Sequence, residues 1–533
     1  MIKLVSGSGT SVDPFILTTL DDLELIGTAG YSLGAYYKLG SDIDASGTQD
    51  PEYNEGAGWL PIPGLFKGNF NGDGYAISGL YINRPTTNNV GFMEHLRDNG
   101  IVRNLTISGT IIGQDTVGGI TGYAWDGNIS NCNINMNITG RNQVGGFCGD
   151  SYPALNITSC SFNGNIIANS YVGGIIGNFR SWSGHGSLSL CSAQGSITAT
   201  SSYVGGMIGK ANDKGFSNMS ITNMTFNCGA EVDNIGGFIG YLYGGSLTNI
   251  HTEVTIQARN GIGGIAGYVN PGAAFLNCSF EGELSGTGNI GGLIGNGNGT
   301  IITSTVKGEL TASSGDIGGL AGHFENGIIQ DCSVNGSVLT INSSGANNVG
   351  GFVGSGYELG FTRCHSRINL IGLARVGGLC GNLYPARDII QCSYVGNLTG
   401  TSNVGGLTGH YDCWDGWNTI SESYALGIIT ATSDNVGGLT GHLKGGITNS
   451  YSRMTVNGNN IVGGLVGNAY SGVITNSYAA GIVSGSTNVG GLLGRNQYGS
   501  SATNSYWDTE TSGQATSALG TPLTSDQMKC LGG

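Results

Sequence analysis

The stretch "DNVGGLTGHL", Asp434 to Leu443, decides the fold because its pattern recurs along the chain. Valine or isoleucine, two glycines, a large apolar residue, one variable residue and a third glycine occur together fourteen times. The copies begin at Val117, Val144, Val172, Val204, Ile235, Ile262, Ile290, Ile317, Val349, Val376, Val404, Val436, Val462 and Val489. They follow one another at intervals of 26 to 32 residues, and a degenerate copy begins at Val90. A sustained period of this length predicts a solenoid.

Each repeat consists of short β-branched runs separated by Gly, Ser and Asn, as in "ITNSYAAGIVSGSTNVGGLLG", Ile474 to Gly494. These are strand and turn signals, and no segment of the repeat has helical spacing. We therefore predict an all-β parallel β-solenoid of about 14–15 coils, with 26–32 residues per coil and short caps at both ends. The predicted domains are a lead-in and cap at 1–89, the solenoid at 90–507 and a C-terminal cap at 508–533.

Short helices are predicted in both caps. In "TLDDLELIG", Thr19 has the chemistry of a helix N-cap and Gly27 lies just past the helix end. Near the other terminus, "TSDQMKCL" reads as a last helical turn.

The motif poses a question of parity, because its Val and its Leu are three residues apart. In a straight strand, Val436 and Leu439 would face opposite sides of the sheet. We predict that the glycine pair bends the strand so that both side chains point inward. The alternative is a straight strand with an external apolar stripe that a second chain would have to cover.

A second column lies about twelve residues before most of the motifs. Seven of the 12 cysteines occupy it, at Cys132, Cys160, Cys191, Cys278, Cys332, Cys364 and Cys392. Other coils place Met224, Ile250, Ser423, Ser450, Ser477 and Ser505 there. Cysteine that alternates with Ile and Ser behaves as a small buried apolar residue, so we predict reduced, stacked thiols. No C-x-x-C is present, which argues against a zinc site of that type.

The overall charge excludes several classes of partner. The net charge is −14, and Lys and Arg form no run, so neither nucleic acid nor an anionic membrane surface is an expected partner. No stretch has the length of a transmembrane helix, and the N-terminus lacks the apolar core of a signal peptide. Together with the reduced thiols, this predicts folding in a reducing cytoplasm, unless the N-terminus has been trimmed.

The recurring V-G-G-L-x-G resembles the GLUG repeat of bacterial surface and adhesin-like proteins, some large secreted peptidases, and phage proteins. The lead-in "GSGTSVDPFILTTLDDLELIG" and the exit "NSYWDTETSGQATS" are also similar to segments that flank such repeats. The resemblance implies a β-solenoid that acts as an extended stalk or binding region, and it supplies no catalytic motif. Unlike the secreted members of that family, this sequence shows no export signal, which favours a virion protein or one otherwise released by lysis.

Most length variation follows the third glycine, so insertions should open on one edge of the solenoid, where repeat proteins commonly bind ligands. Four of the six tryptophans lie in these segments, beside Asp, Asn and Gly, a composition that suits carbohydrate. Capping the apolar end of each coil is the alternative role for these rings. The candidate ligand-binding residues are Trp125, Asp126, Trp182, Tyr241, Tyr243, Tyr384, Tyr411, Asp412, Trp414, Asp415 and Trp417.

No cofactor, metal or catalytic residue is predicted. His323, His410 and His442 follow the third glycine of their copies, and the last two belong to adjacent coils. Other coils place Tyr, Asp, Asn, Lys, Arg or Ser at that position, which indicates an outward polar corner rather than a metal site.

The leading functional hypothesis is a non-enzymatic adhesin or fibre protein, a phage virion or tail component. Its expected partners are a host-surface glycan or cell envelope and other virion or fibre subunits. The alternatives are a bacterial cell-surface adhesin stalk and a tailspike-like glycan depolymerase. A glycosidase needs two carboxylates about 5–10 Å apart, and nothing singles out a pair such as Asp412 with Asp415.

Overall fold

The computed structural model describes residues 5–181, 186–212, 215–229, 231–337, 339–414 and 416–530. Two compact units form, Met1–Ala258 with Ile265–Tyr268, and Arg259–Gly264 with Val269–Gly533. Both are built from short parallel strands that hydrogen-bond to the equivalent strands of the neighbouring coils. The protein is an all-β parallel β-solenoid of about 16 turns, so the predicted fold class is confirmed, with slightly more turns than the 14–15 expected.

One coil of the second unit shows how the repeat folds. The motif begins in the strand Asp434–Gly437, and the chain continues through the strands Thr440–Lys444, Gly446–Thr448 and Tyr451–Asn457. The next coil then begins with Asn460–Gly463, which pairs in parallel with Asp434–Gly437.

Every copy of the motif contributes an equivalent first strand. In the first unit these strands are Asp115–Gly118, Asn142–Gly145, Ser170–Gly173, Val204–Gly205 and Asp233–Gly236. In the second unit they are Asn260–Gly263, Gly288–Gly291, Asp316–Gly318, Asn348–Gly350, Arg375–Gly377, Val404–Gly405, Asp434–Gly437, Asn460–Gly463 and Thr487–Gly490.

Turns without the motif explain why there are more coils than predicted. The strands Phe15–Leu17, Tyr36–Leu39, Asn69–Asn71 and Ile101–Arg103 pair successively in parallel register. The chain before residue 90 therefore already winds as β-structure, although its sequence lacks the repeat. The boundaries at 89/90 and 507/508 stay predictions.

The predicted N-terminal helix is confirmed as Leu20–Glu24. Thr19 is its N-cap, and its side chain accepts a hydrogen bond from the backbone N–H of Asp22, while the Asp22 carboxylate accepts one from the backbone N–H of Thr19. This reciprocal capping box satisfies two N–H groups that the first helical turn leaves without intrahelical acceptors.

The C-terminal segment contains two more short helices, Thr509–Ser512 and Ser525–Cys530, and the second confirms the predicted last helical turn. Between them, the strand Thr521–Leu523 pairs in parallel with Tyr506–Asp508. No helix in the described ranges is long and apolar enough to cross a membrane.

The parity question is resolved by a bend within each motif. The first strand ends at Gly437, Gly438 and Leu439 form a bend, and a new strand begins at Thr440. Both Val436 and Leu439 are fully buried. The predicted bend is confirmed, and the straight-strand alternative with an external apolar stripe is wrong.

Close stacking of the coils requires the central glycine of the motif. A Cβ atom on Gly438 would lie 2.0 Å from the carbonyl oxygen of Gly464, the equivalent glycine of the next coil. A Cβ on Gly406 would likewise lie 2.2 Å from the oxygen of Gly438. Real Cβ atoms essentially never approach another atom so closely, so each coil needs glycine where the next coil's backbone passes.

The cysteine column follows a corner of the coil. The residue before each column position has a positive φ, as at Asn131, Ser159, Asp331 and Gln391. All seven column cysteines are buried free thiols, which confirms the predicted inward column.

One assignment in that column was wrong. Ile250 pairs with Met219 rather than with Met224, and a register shift lies between Thr222 and Met224. One strand has an extra residue at this irregularity, so counting residues back from the motif placed the column position at the wrong methionine.

Candidate functional site

Two highly exposed tryptophans of the second unit lie on one loop, residues 413–418, which we call the tryptophan loop. It connects the strand Thr408–Asp412 to the strand Thr419–Ser421. The side chain of Trp414 is 72% exposed and that of Trp417 is 83% exposed. Both therefore present large apolar rings to solvent. Asp415, the predicted polar partner between them, lies outside the described residues.

Backbone hydrogen bonds hold both ends of the tryptophan loop against the next coil. The N–H of Cys413 donates to the carbonyl of Lys444 at 2.8 Å, and the N–H of Gly446 donates to the carbonyl of Asn418 at 3.0 Å. On the other side, the N–H of Thr419 donates to a carboxylate oxygen of Asp388 at 2.7 Å. The loop thus leaves and re-enters the sheet at fixed points while its tip faces solvent.

Tyr411 does not belong to the exposed surface. Its side chain is fully buried, and its hydroxyl donates to the backbone carbonyl of Arg387 at 3.2 Å. The strand continues to Asp412, so alternation turns Tyr411 inward. The prediction that Tyr411 binds ligand from a surface loop is wrong, because the ring is a core residue.

Asp412 lies at the base of the tryptophan loop beside two histidines. Its carboxylate forms an ion pair with Lys444 at 3.1 Å. The rings of His410 and His442 stack with centroids 4.6 Å apart and planes 8° from parallel. Burial, aided by His442 and the cations Arg375 and Lys444, lowers the pKa of His410 to about 3. Burial also lowers the pKa of His442, so both imidazoles are neutral at physiological pH.

Tyr384 occupies the corresponding connection one coil earlier, between the strands Cys380–Leu383 and Ala386–Ile390. Its side chain is exposed, and a cis peptide bond joins it to Pro385. In the second unit, the structure therefore brings Tyr384 and the tryptophan loop to one edge, since these connections lie between the same two stacks of strands.

In the first unit, Trp125 is exposed but its ring is covered by charged and aromatic neighbours. The Arg97 guanidinium lies 4.7 Å from the Trp125 ring centroid, and Tyr152 meets the ring edge-on at 5.5 Å. Asp126 accepts a hydrogen bond from the backbone N–H of Asn99 at 3.0 Å, across to the neighbouring coil. Trp182, predicted to join this surface, lies outside the described residues.

Tyr241 belongs to a tyrosine cluster that the sequence analysis did not foresee. Its ring stacks on Tyr268 at 5.4 Å and meets Tyr203 edge-on at 5.2 Å. The Lys210 ammonium lies 5.2 Å from the Tyr241 ring centroid. Tyr243, two residues further along, is exposed. The faces of Tyr241 are thus occupied by protein neighbours, whereas Tyr243 is open to solvent.

The sequence analysis also missed a tyrosine ladder on the second unit. Tyr424, Tyr451 and Tyr478 stack with centroids 5.1 and 5.0 Å apart and nearly parallel planes. Their spacing of 27 residues in the sequence could have revealed the ladder. The one inner ring, Tyr451, has both faces covered by its neighbours, so the stack stabilises adjacent coils and leaves only the edge of that ring for a ligand.

Residues 113–139 of this parallel β-solenoid match the family model described as the GLUG motif. The chain is 32% identical over 515 residues to halomucin of Haloquadratum walsbyi. This alignment covers 85% of this chain and 5% of halomucin. It is 35% identical over 123 residues to the "Putative Gly-rich membrane protein" of Evansella cellulosilytica. That alignment covers 22% of this chain and 14% of the relative. This chain thus spans only a small part of either relative.

Among solved structures, one from Bacteroides ovatus carries the name "putative immunoglobulin A1 protease". It is 18% identical to this chain, with a TM-score of 0.27, and the match covers 63% of this chain and 79% of that one.

Proposed function

We propose that this protein is a non-enzymatic, adhesin-type surface protein that binds a polysaccharide through aromatic rings at one edge of its solenoid. A virion or tail fibre that contacts a host-surface glycan is the setting we favour, and a bacterial cell-surface stalk is the alternative. The observation that carries the proposal is the exposure of Trp414 and Trp417 on a loop with fixed ends. The GLUG motif and the similarity to halomucin support a surface protein.

Ring availability distinguishes the tryptophan loop from the other aromatic groups. Sugar C–H groups pack on the face of an aromatic ring, so a binding ring must keep one face open. The inner ring of the ladder, Tyr451, is sandwiched between neighbours, and Arg97 covers one face of Trp125, which is only 39% exposed. Trp414 and Trp417 retain most of their surface for a ligand. Tyr384, on the same edge, extends the proposed surface to a neighbouring coil.

The chemistry at the loop base supports binding rather than hydrolysis. Asp412, which directly precedes the tryptophan loop, pairs with Lys444. The ion pair occupies this carboxylate, whereas a glycosidase needs two carboxylates placed to act on the sugar.

The proposal is tested with Trp414→Ala and Trp417→Ala in a polysaccharide-binding assay that spans neutral and acidic bacterial envelope polymers. Each change should weaken binding about tenfold, because it removes the stacking of one ring. Ile482→Ala is the matched control, since Ile482 is also an exposed apolar side chain of the second unit and lies away from the loop. Binding that survives both tryptophan changes, or that falls equally in the control, would contradict the proposed site.

The non-enzymatic part has a separate test. The protein is incubated with each polymer that it binds, and new reducing ends are measured over time. We expect no increase above the polymer alone. A steady release of reducing ends that Asp412→Asn abolishes would instead establish a depolymerase.

A further inference from the structure

A compact group of three potential metal ligands lies at the base of the tryptophan loop. The strands Thr408–Asp412 and Thr440–Lys444 pair in parallel so that His410 lies directly beside His442. Asp412 follows His410 by two residues and therefore points to the same face of its strand. One ligand atom from each of His410, His442 and Asp412 lies within 4.8 Å of the other two.

The stacked histidines leave a polar atom unsatisfied. The Nδ1 atom of His410 is buried and has no hydrogen-bond partner among the described residues. Two other histidines are partnered: His323, at the same motif position, bonds to Glu325 at 2.8 Å, and His365 bonds to Ser393 at 2.8 Å. The Nδ1 atom of His95 resembles that of His410 in having no partner among the described residues. Buried polar atoms are nearly always partnered, and an unassigned ion is one of the few explanations for an orphan. Stacking of the two imidazoles does not give this buried nitrogen a hydrogen-bond partner, so the free-energy cost of leaving it unpartnered would remain.

We propose that His410, His442 and Asp412 form a binding site for one divalent transition-metal ion of the zinc class. Two imidazoles and a carboxylate are a ligand set that Zn²⁺ accepts, with solvent at the remaining position. Metal bonds of about 2.0–2.2 Å leave two ligand atoms at most about 4.4 Å apart, slightly less than the 4.8 Å within which these three atoms lie, so a small movement suffices. Side-chain rotation supplies this movement, because all three side chains lie on the outer face of the coil.

The surroundings define what the metal must displace and what it would stabilise. Lys444 holds the Asp412 carboxylate at 3.1 Å, so a metal ion competes with its ammonium group for the same carboxylate. Asn468 lies beyond the pair, with its Nδ2 atom 3.3 Å from Nδ1 of His442, and steadies that ring. Because Asp412 directly precedes the tryptophan loop, a bound ion would tie the start of that loop to the adjacent coil.

The test is a titration of the full chain with Zn²⁺ by calorimetry and with Co²⁺ by visible absorption, after chelator treatment. We expect one bound ion with the visible bands of nitrogen and oxygen ligation and without a thiolate charge-transfer band. His410→Asn and His442→Asn should each weaken binding at least about tenfold. His323→Asn and Cys530→Ser are controls that should bind as the wild type does.

Lys444→Gln supplies a variant that keeps all three ligands. Removing the competing ammonium should tighten Zn²⁺ binding, and the circular-dichroism spectrum of every variant verifies that it folds. Absence of a bound ion in the wild type, an ion that persists in both histidine variants, or weaker binding in Lys444→Gln would each overturn the proposal. A thiolate charge-transfer band would overturn it as well, because it would place the ion at a cysteine.

Discussion

Replacing Gly438 with alanine tests why the repeat contains glycine at its centre. The new Cβ would lie 2.0 Å from the Gly464 carbonyl oxygen and 2.0 Å from the Ser452 hydroxyl, whereas ordinary contacts begin at 3.4 Å. The serine hydroxyl can rotate away, but the Ser452 Cβ, 2.7 Å from the new atom, cannot, and the carbonyl belongs to the backbone of the next coil. The two coils must therefore separate locally, which strains the hydrogen bond from Leu439 N–H to the Leu465 carbonyl, now 2.7 Å long.

The expected loss combines overpacking with weakened hydrogen bonds. Overpacking costs about 1–3 kcal/mol, and each weakened backbone hydrogen bond adds about 1 kcal/mol. We therefore expect Gly438→Ala to lower the free energy of unfolding by about 3 kcal/mol or more. Urea denaturation followed by circular dichroism measures the change as a shift in the transition midpoint.

Gly47→Ala is the matched control for this experiment. No heavy atom lies within 4 Å of a Cβ built on Gly47, and its φ is not positive. Its stability should remain within about 0.5 kcal/mol of the wild type. Equal midpoints for Gly438→Ala and Gly47→Ala would refute the argument that coil stacking requires the glycine.

Three further predictions concern the core, the thiols and the acid stability. Leu439→Ala should lower the unfolding free energy by about 2–5 kcal/mol in urea denaturation, because the side chain is fully buried; an exposed position would show almost no loss. A thiol reagent should modify the exposed Cys530 far faster than the buried column cysteines, and Cys530→Ser should remove the fast phase. Arg363 lowers the pKa of Asp331 to about 2, so this pair stabilises the fold above about pH 4 and its contribution is lost towards pH 2. Between pH 4 and pH 2 the thermal midpoint should consequently fall more steeply in the wild type than in Arg363→Gln. Parallel plots of midpoint against pH for the two proteins would show that the pair does not stabilise the fold.

The repeat allowed the buried positions of the motif to be predicted residue by residue. Val436 and Leu439 are core in the structure because hydrophobic burial selects the same apolar types in every coil. The role of Thr19 as a helix N-cap could also be predicted from the sequence, since helix capping depends on residues a few positions apart.

Prediction failed where register or strand length mattered. Met224 was placed in the cysteine column, but a register shift gives that position to Met219. Tyr411 was placed in a surface loop, but the strand extends one residue beyond it and turns the ring inward. Neither the shift nor the strand end leaves a signal in local composition, because both depend on how neighbouring coils pair.

The sequence by itself determined the period, the apolar columns and the bend at the glycine pair, because all three are properties of a repeated local pattern. Only the tertiary structure decided which aromatic rings have open faces, as Trp414 does, and which are sandwiched, as Tyr451 is. It also brought His410 beside His442 and left the Nδ1 atom of His410 without a partner. These relations join residues about one coil apart in the chain, so they depend on the register that stacking imposes and on the corner torsions that set each strand's direction.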